Sequence, residues 1–229
     1  MTKTQKLAAL VLLALSLSFR TDMVIAGQLE EGVAAYQQND YPTAVAQLQP
    51  LAEQENPEAQ AKLGAIYLTG GRGVPQDVAQ ALSLIRKAAD QGNISSMTSL
   101  ASMYSVGRYG LPQDITQSIY WYRKAAEQDD ANSMMQLGLL YTDSEMVPRD
   151  DPEAMKWFKK ASDRGLPAAS LLLGVAYAQG RGVTRDDVQA RQYLLKASEG
   201  GGDTKAMATR LIHVLDNGGF PPDPPATKK

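Results

Sequence analysis

Two doubled acids, Asp150-Asp151 and Asp186-Asp187, are the residues of this 229-residue chain whose type and spacing first suggest chemistry. Paired carboxylates work as general acid and base when their surroundings split their protonation states. Asp143 and Glu145 stand close enough in sequence to join the first pair, and such a cluster would suit hydrolysis of cell-wall material. A glycine-rich stretch, Gly70-Gly71-Arg72-Gly73-Val74, raises the question of a phosphate cradle. No Gly-Lys-Ser/Thr follows it and no strand pattern precedes it. His213 is the only histidine; a general base needs a positioned proton partner and a metal site needs several ligands. There is no cysteine, so a thiol nucleophile, a disulfide framework and a zinc–thiolate site are all excluded. No cofactor, metal or catalytic residue is expected.

The elements that would hold these residues repeat. Leu63-Gly64 returns as Leu100-Ala101, Leu137-Gly138 and Leu173-Gly174, and Tyr67 returns as Tyr104, Tyr141 and Tyr177. Asp77 returns as Asp114, Asp150 and Asp186, and Lys87-Ala88 as Lys124-Ala125, Lys160-Ala161 and Lys196-Ala197. The step is 37 or 36 residues, a period typical of solenoids. Each unit reads as two helices. In helix A, about Glu58 to Thr69 in the first copy, Ala59, Leu63 and Tyr67 form one stripe, and the small residue at Gly64 permits a close helix neighbour. In helix B, Asp77 is an N-cap with Gln80 three residues on. Ala81, Leu84, Ile85 and Ala88 follow as an amphipathic stripe, with Trp121 and Trp157 at the core of later copies. Because Asp150 and Asp186 occupy the same cap, helix capping and the helix dipole explain the doubled acids better than catalysis. Arg86-Lys87, Arg123-Lys124 and Lys159-Lys160 read as solvated cations suited to helix C-termini.

The expected organisation is a signal peptide over 1–26, a divergent capping repeat over 27–56, and four repeats at 57–93, 94–130, 131–166 and 167–203. A capping helix over 204–216, carrying Met207, Leu211 and Leu215 on one face, and a disordered tail over 217–229 complete it. In the capping repeat Asp40-Tyr41-Pro42 starts a helix and Pro50 ends or kinks it. The signal peptide rests on Lys3 and Lys6, the apolar run Leu7 to Phe19, and Val24-Ile25-Ala26 before Gly27. An exported, periplasmic protein is expected. Removing Lys3, Lys6, Arg20 and Asp22 takes the balance of 23 basic and 25 acidic residues to 20 and 24, a net charge of −4. With no basic patch, nucleic acid is not an expected partner.

Positions off the packing stripe grow more apolar along the chain. Ala61, Ala65 and Leu68 become Thr98, Ser102 and Ser105, then Met135, Leu139 and Thr142, then Leu171, Val175 and Ala178. Extended concave surfaces are what solenoids use for binding, and apolar patches mark interaction sites. The third repeat lacks loop glycines and presents Asp143, Glu145 and Met146 instead; the second presents Arg108 and Tyr109. Met135, Leu139, Asp143, Glu145, Met146, Leu171, Val175, Arg108 and Tyr109 are the candidate partner-binding residues. The apolar helix A positions fit a groove or a thickened core equally.

Leu-Gly-x-x-Tyr, Gly-x-Gly-Val, the Asp before helix B, and the Lys-Ala-Ala ending followed by Gly92 or Gly165 resemble the Sel-1-like repeat, a relative of the tetratricopeptide repeat, over residues 29 to 215. The resemblance implies an all-α fold, a right-handed α-solenoid of stacked antiparallel helix pairs, used as a protein-binding adaptor. It carries over no catalytic residue. The sequence departs from it at the glycine-free third loop, at Asp129 in place of glycine, and at Ser118 in place of alanine. Among proteins with these repeats are immunity proteins that neutralise periplasm-targeting toxins such as secreted phospholipases, and envelope or polysaccharide-assembly scaffolds. Many exported members are cysteine-rich, and this chain is not.

Overall fold

A computed structural model of the chain describes residues 23–71, 73–143 and 147–218. The expected signal segment up to residue 22 and the tail beyond residue 218 lie outside them, as do Glu145 and Met146. Among the described residues all regular structure is helical, apart from one isolated bridge between Gly71 and Val74. The helices are α1 (23–37), α2 (Tyr41–Glu53), α3 (Pro57–Thr69), α4 (Val78–Asp90), α5 (Ile94–Val106) and α6 (Ile115–Ala126). They continue as α7 (Ala131–Asp143), α8 (Asp151–Asp163), α9 (Pro167–Gln179), α10 (Asp187–Ser198) and α11 (Gly202–Asp216). No helix among the described residues is long and apolar enough to cross a membrane. Two compact units divide the chain, one ending at Met97 and the other beginning at Thr98.

In the first unit α2 packs on α3 and α3 on α4. Its core is built from Ala44, Leu48, Leu51, Leu63 and Ile66, with Ile25 and Leu29 of α1 packed against it. Ile25 falls within the expected signal segment, yet it is half-buried on this core. Pro50 does not end α2: the helix continues to Glu53, because Leu51 and Ala52 beyond it are buried and hold the last turn in place. Burying a leucine stabilises by about 1.5–3 kcal/mol, of the same order as the roughly 3 kcal/mol that a proline costs a helix interior.

In the second unit consecutive helices from α6 to α11 pack on one another. The residues that start each helix B behave as their type dictates. The amides of Gln80, Gln117 and Glu153 donate to Asp77, Asp114 and Asp150 at 2.9, 3.0 and 2.9 Å. Asp186 accepts from both Val188 and Gln189. Across each loop the capping aspartate's own amide donates to the repeat tyrosine's carbonyl: Asp77 to Tyr67, Asp114 to Tyr104, Asp150 to Tyr141 and Asp186 to Tyr177, at 2.8–3.0 Å. That bond survives the loss of one loop residue in the last two repeats.

Between repeats a single residue takes a left-handed conformation: Glu55, Gly92, Asp129 and Gly165, with φ of 64°, 91°, 65° and 83°. Asp129 therefore keeps the glycine geometry; a short polar side chain tolerates it, and its carboxylate pairs with Arg164. The capping helix α11 begins at Gly202, ahead of the expected Thr204, and its buried contact is Ala208. Met207 points outward at 53% exposure, correcting the expected stripe. A small alanine lets the helix approach closely, and the 3.6-residue turn then brings Leu211 and Leu215 round to the same side.

Candidate functional site

A cleft of about 320 Å³ opens within the second unit. Leu139 and Thr142 of α7 form one wall, and Leu172, Val175, Ala176 and Gln179 of α9 form the other. Buried Met155 and Phe158 of α8 make its floor. The two walls are helix A of successive repeats, held near each other by the helix B between them. Within each repeat the pair packs tightly because Gly138 and Gly174 have no side chains: a β-carbon on Gly138 of α7 would overlap Phe158 of α8, and one on Gly174 of α9 would come within 2.7 Å of Leu194 of α10.

Charge gathers at the mouth, where Arg149, Asp151 and Arg181 line the cleft. The Arg149 guanidinium donates to both Asp151 oxygens, Nε at 2.9 and 3.0 Å and Nη2 at 2.7 Å. Asp151 is also pressed from outside: a β-carbon on Gly182, which sits at φ 67°, would meet the Asp151 backbone at 2.6 Å. The same clamp recurs 36 residues on, where Arg185 donates to Asp187 at 3.0 and 3.2 Å. In the two earlier repeats the arginine position is glutamine. Gln76 and Gln113 donate instead to the Leu68 and Ser105 carbonyls at the end of helix A, at 2.8 and 2.9 Å.

A second, more polar cleft of about 350 Å³ in the same unit is lined by Thr98, Ser99, Ser102 and Met103 of α5 together with Arg108 and Tyr109. Tyr109 holds a left-handed backbone, φ 56°, uncommon for a residue of its size. Burial pushes the nearby Tyr122 phenol above its ordinary range, and a hydrogen bond with Ser102 pulls the other way.

The expected partner-binding residues thus separate. Leu139 and Val175 line the first cleft, and Arg108 and Tyr109 the second. Met135 is not among the lining residues of the first cleft; it is half-buried against the cluster of Ala154, Met155, Phe158, Leu173 and Ala176, on which Leu139 and Leu172 also pack. Leu171 is replaced at the cleft by its neighbour Leu172, a one-residue rotation about α9. Asp143 ends α7 beside lining residue Thr142; Glu145 and Met146 lie outside the described residues. Sequence reasoning missed Arg149 and Arg181. The available signal was the change from Gln76 and Gln113 to Arg149 and Arg185 at one repeat position.

Of the acids that suggested catalysis, Asp150 caps α8 and Asp151 holds Arg149. The glycine loop of the first repeat turns its amides on itself, Gly71 and Val74 exchanging bonds of 2.7 and 3.1 Å. Among the described residues no three His, Cys, Asp or Glu side chains are grouped to hold a metal ion. His213 lies exposed on α11, against Asn217. The helix B cations do more than face solvent. Lys160 lies 4.1 Å over the Trp157 ring, and Lys196 donates to the Ser162 carbonyl of the preceding repeat at 2.7 Å.

Residues 57–93, 94–130, 131–166 and 167–202 each match the Sel1 repeat. Among solved structures, a Sel1 repeat protein from Oxalobacter formigenes is 27% identical with a TM-score of 0.72, covering 83% of this chain and 78% of that one. The protective antigen c5321 of uropathogenic Escherichia coli, which displays an SLR fold, is 28% identical with a TM-score of 0.67 over 84% of this chain and 49% of its own, so this chain spans about half its length. A Sel1 repeat protein from Klebsiella pneumoniae gives 24% identity and a TM-score of 0.51, over 84% of this chain and 93% of that one. No curated protein matches the chain.

Proposed function

We propose, from the premise that this chain belongs to the Sel1 repeat family, that it is a non-catalytic periplasmic interaction module that grips a protein partner in the cleft between α7 and α9. Proteins built from this repeat are generally scaffolds for protein–protein binding, and that much is a family property. The observation that carries the finer reading is the cleft's make-up. Apolar walls of Leu139, Leu172 and Val175 stand over a buried floor, with two arginines and one aspartate at the mouth. Such a site takes an apolar side chain as its anchor and selects neighbouring polar groups by charge. Export to the periplasm rests on the basic, apolar and small-residue segments of the first 26 residues.

Affinity capture from periplasmic extract tests the reading. Wild-type protein is expected to retain a defined partner, and Val175→Lys to lose at least about tenfold of that binding with its fold unchanged. Equal capture by both proteins overturns the cleft assignment. Failure of the wild type to capture anything overturns the interaction reading, and hydrolysis of cell-wall material by pure protein overturns its non-catalytic part. If the captured partner is a secreted toxin, rescue of growth on co-expression identifies the module as an immunity protein.

A further inference from the structure

The repeats act as one another's controls, and at α10 an interface that they share runs out to an open end. In earlier repeats the repeat that follows covers part of helix B. A β-carbon on Gly73 would stand 3.4 Å from Pro42 of α2, and one on Gly182 would meet the Asp151 backbone of α8. Arg123 of α6 donates to the Tyr141 hydroxyl of α7 at 3.2 Å. In the fourth repeat the positions of Pro42, Asp151 and Arg123 are held by Val188, Asp187 and Leu195. α11 packs on α10 as the helix A of a fifth repeat would, but among the described residues no further helix follows it. Its apolar stripe is accordingly half covered: Ala208 is buried, while Leu211, Ile212 and Leu215 are half-buried. A groove of about 380 Å³ is left, lined on α10 by Val188, Arg191 and Leu195 and on α11 by Leu215 and Asp216.

The residues at that end are apolar where the other repeats are not. Arg86, Arg123 and Lys159 give way to Leu195, and Ala79, Thr116 and Pro152 to Val188. Val188 is 67% and Leu195 43% exposed. They stand seven residues apart, and with exposed Arg191 and Gln192 between them they form one open helix face.

We infer that this face binds the same face of a second copy of the chain, α10 against α10, antiparallel about a two-fold axis. Two observations choose that occupant. The open seat continues an interface that elsewhere takes another repeat of the same kind, which a second copy brings. The face is also complementary to itself, as an isologous contact requires. An axis passing between Arg191 and Gln192 sets Val188 of each copy against Leu195 of the other. Within one copy Arg191 donates to Asp216 at 3.1 Å. The axis brings two such pairs together, so each guanidinium meets a second carboxylate and the like charges are offset. α4, α6 and α8 cannot pair in this way, because Arg86, Arg123 or Lys159 would be pressed into the contact and desolvated. The contact is one helix pair wide, which makes the dimer a weak one.

The axis makes a single substitution diagnostic, because it sets Gln192 beside Gln192 of the second copy, and the chain has no cysteine of its own. In the full chain, Gln192→Cys is expected to oxidise to a disulfide-linked dimer about tenfold faster than Ser83→Cys at equal protein concentration. Ser83 holds the same exposed helix position in the first repeat. Adding Leu195→Arg, the residue of the first two repeats, or Val188→Thr, that of the second, should bring the rate down to that of Ser83→Cys. Circular dichroism should show both variants fully helical. Sedimentation equilibrium of the cysteine-free chain should show a mass that rises with concentration toward the dimer, and Leu195→Arg should abolish the rise. Equal oxidation rates for Gln192→Cys and Ser83→Cys overturn the proposal. So does a rise in mass that Leu195→Arg leaves unchanged, which would put self-association elsewhere on the chain.

Discussion

The ring of Phe158 rests directly on Gly138, so that a β-carbon at Gly138 would overlap it. Ile85 stands in the same relation to Gly64 and Leu194 to Gly174, with hypothetical β-carbon contacts of 2.6 and 2.7 Å. Overpacking of this kind costs about 1–3 kcal/mol, while alanine in a helix interior recovers up to about 1 kcal/mol over glycine. Gly138→Ala is therefore expected to lower the melting temperature by about 2–6 °C. Phe158→Leu in the same background should recover part of it. A melt by circular dichroism in which Gly138→Ala is as stable as the parent would show that the two helices can separate freely.

Ser118 behaves oppositely. It is fully buried where the other repeats place Ala81, Ala154 and Ala190, and its hydroxyl has no hydrogen-bond partner among the described residues. An unsatisfied buried hydroxyl costs about 1–3 kcal/mol, so Ser118→Ala is expected to stabilise by about 1 kcal/mol. In a domain of this size that raises the melting temperature by about 2–4 °C. A lower melting temperature would mean that the hydroxyl has a role which the packing does not reveal.

The helix pairs were legible because each signal is local and repeated. Asp77, Asp114, Asp150 and Asp186 cap as aspartates do, and the Gly64, Gly138 and Gly174 contacts follow from the missing side chain. A capping-repeat equivalent, Gly32 against Leu48 at 2.6 Å, escaped notice because the shorter loop there breaks the period. The cleft was only half legible. Leu139 and Val175 line it, but Leu171 and Leu172 differ by a 100° rotation that a repeat of apolar residues does not specify. Arg149 was hidden because its partner, Asp151, already had an adequate explanation in the helix dipole.

Glu153 supplies a pH dependence. It accepts from the Lys156 ammonium at 2.8 Å and the Trp157 indole at 3.1 Å. The Lys156 hydrogen bond, opposed by partial burial, holds its carboxyl below the ordinary range. A depressed acid stabilises the fold fully above its unfolded value, about 4.3, and loses that contribution as pH falls through the lower folded value. The difference in urea midpoint between the parent and Glu153→Gln should thus be constant from about pH 8 to 5 and shrink below about pH 4. A difference that persists unchanged to pH 3 would remove the carboxylate from any part in stability.

Arg149→Gln separates stability from binding at the cleft. The Arg149–Asp151 pair is exposed on the arginine side, 52% against 19% for the aspartate, and exposed ion pairs contribute about 0–1 kcal/mol. Glutamine is what the first two repeats carry at this position, and there it finds a partner in the terminal carbonyls of helix A. The variant should accordingly melt within about 2 °C of the parent. The arginine that it removes stands at the mouth of the cleft, where a partner's carboxylate would meet it, and losing a charge-assisted contact there costs roughly 1.5–3 kcal/mol. Partner affinity should therefore fall by about tenfold or more and depend less on salt than the parent's, measured by calorimetry across ionic strengths. Unchanged affinity and salt dependence would mean that Arg149 only organises the loop, and would leave Arg181 as the cation that meets the partner.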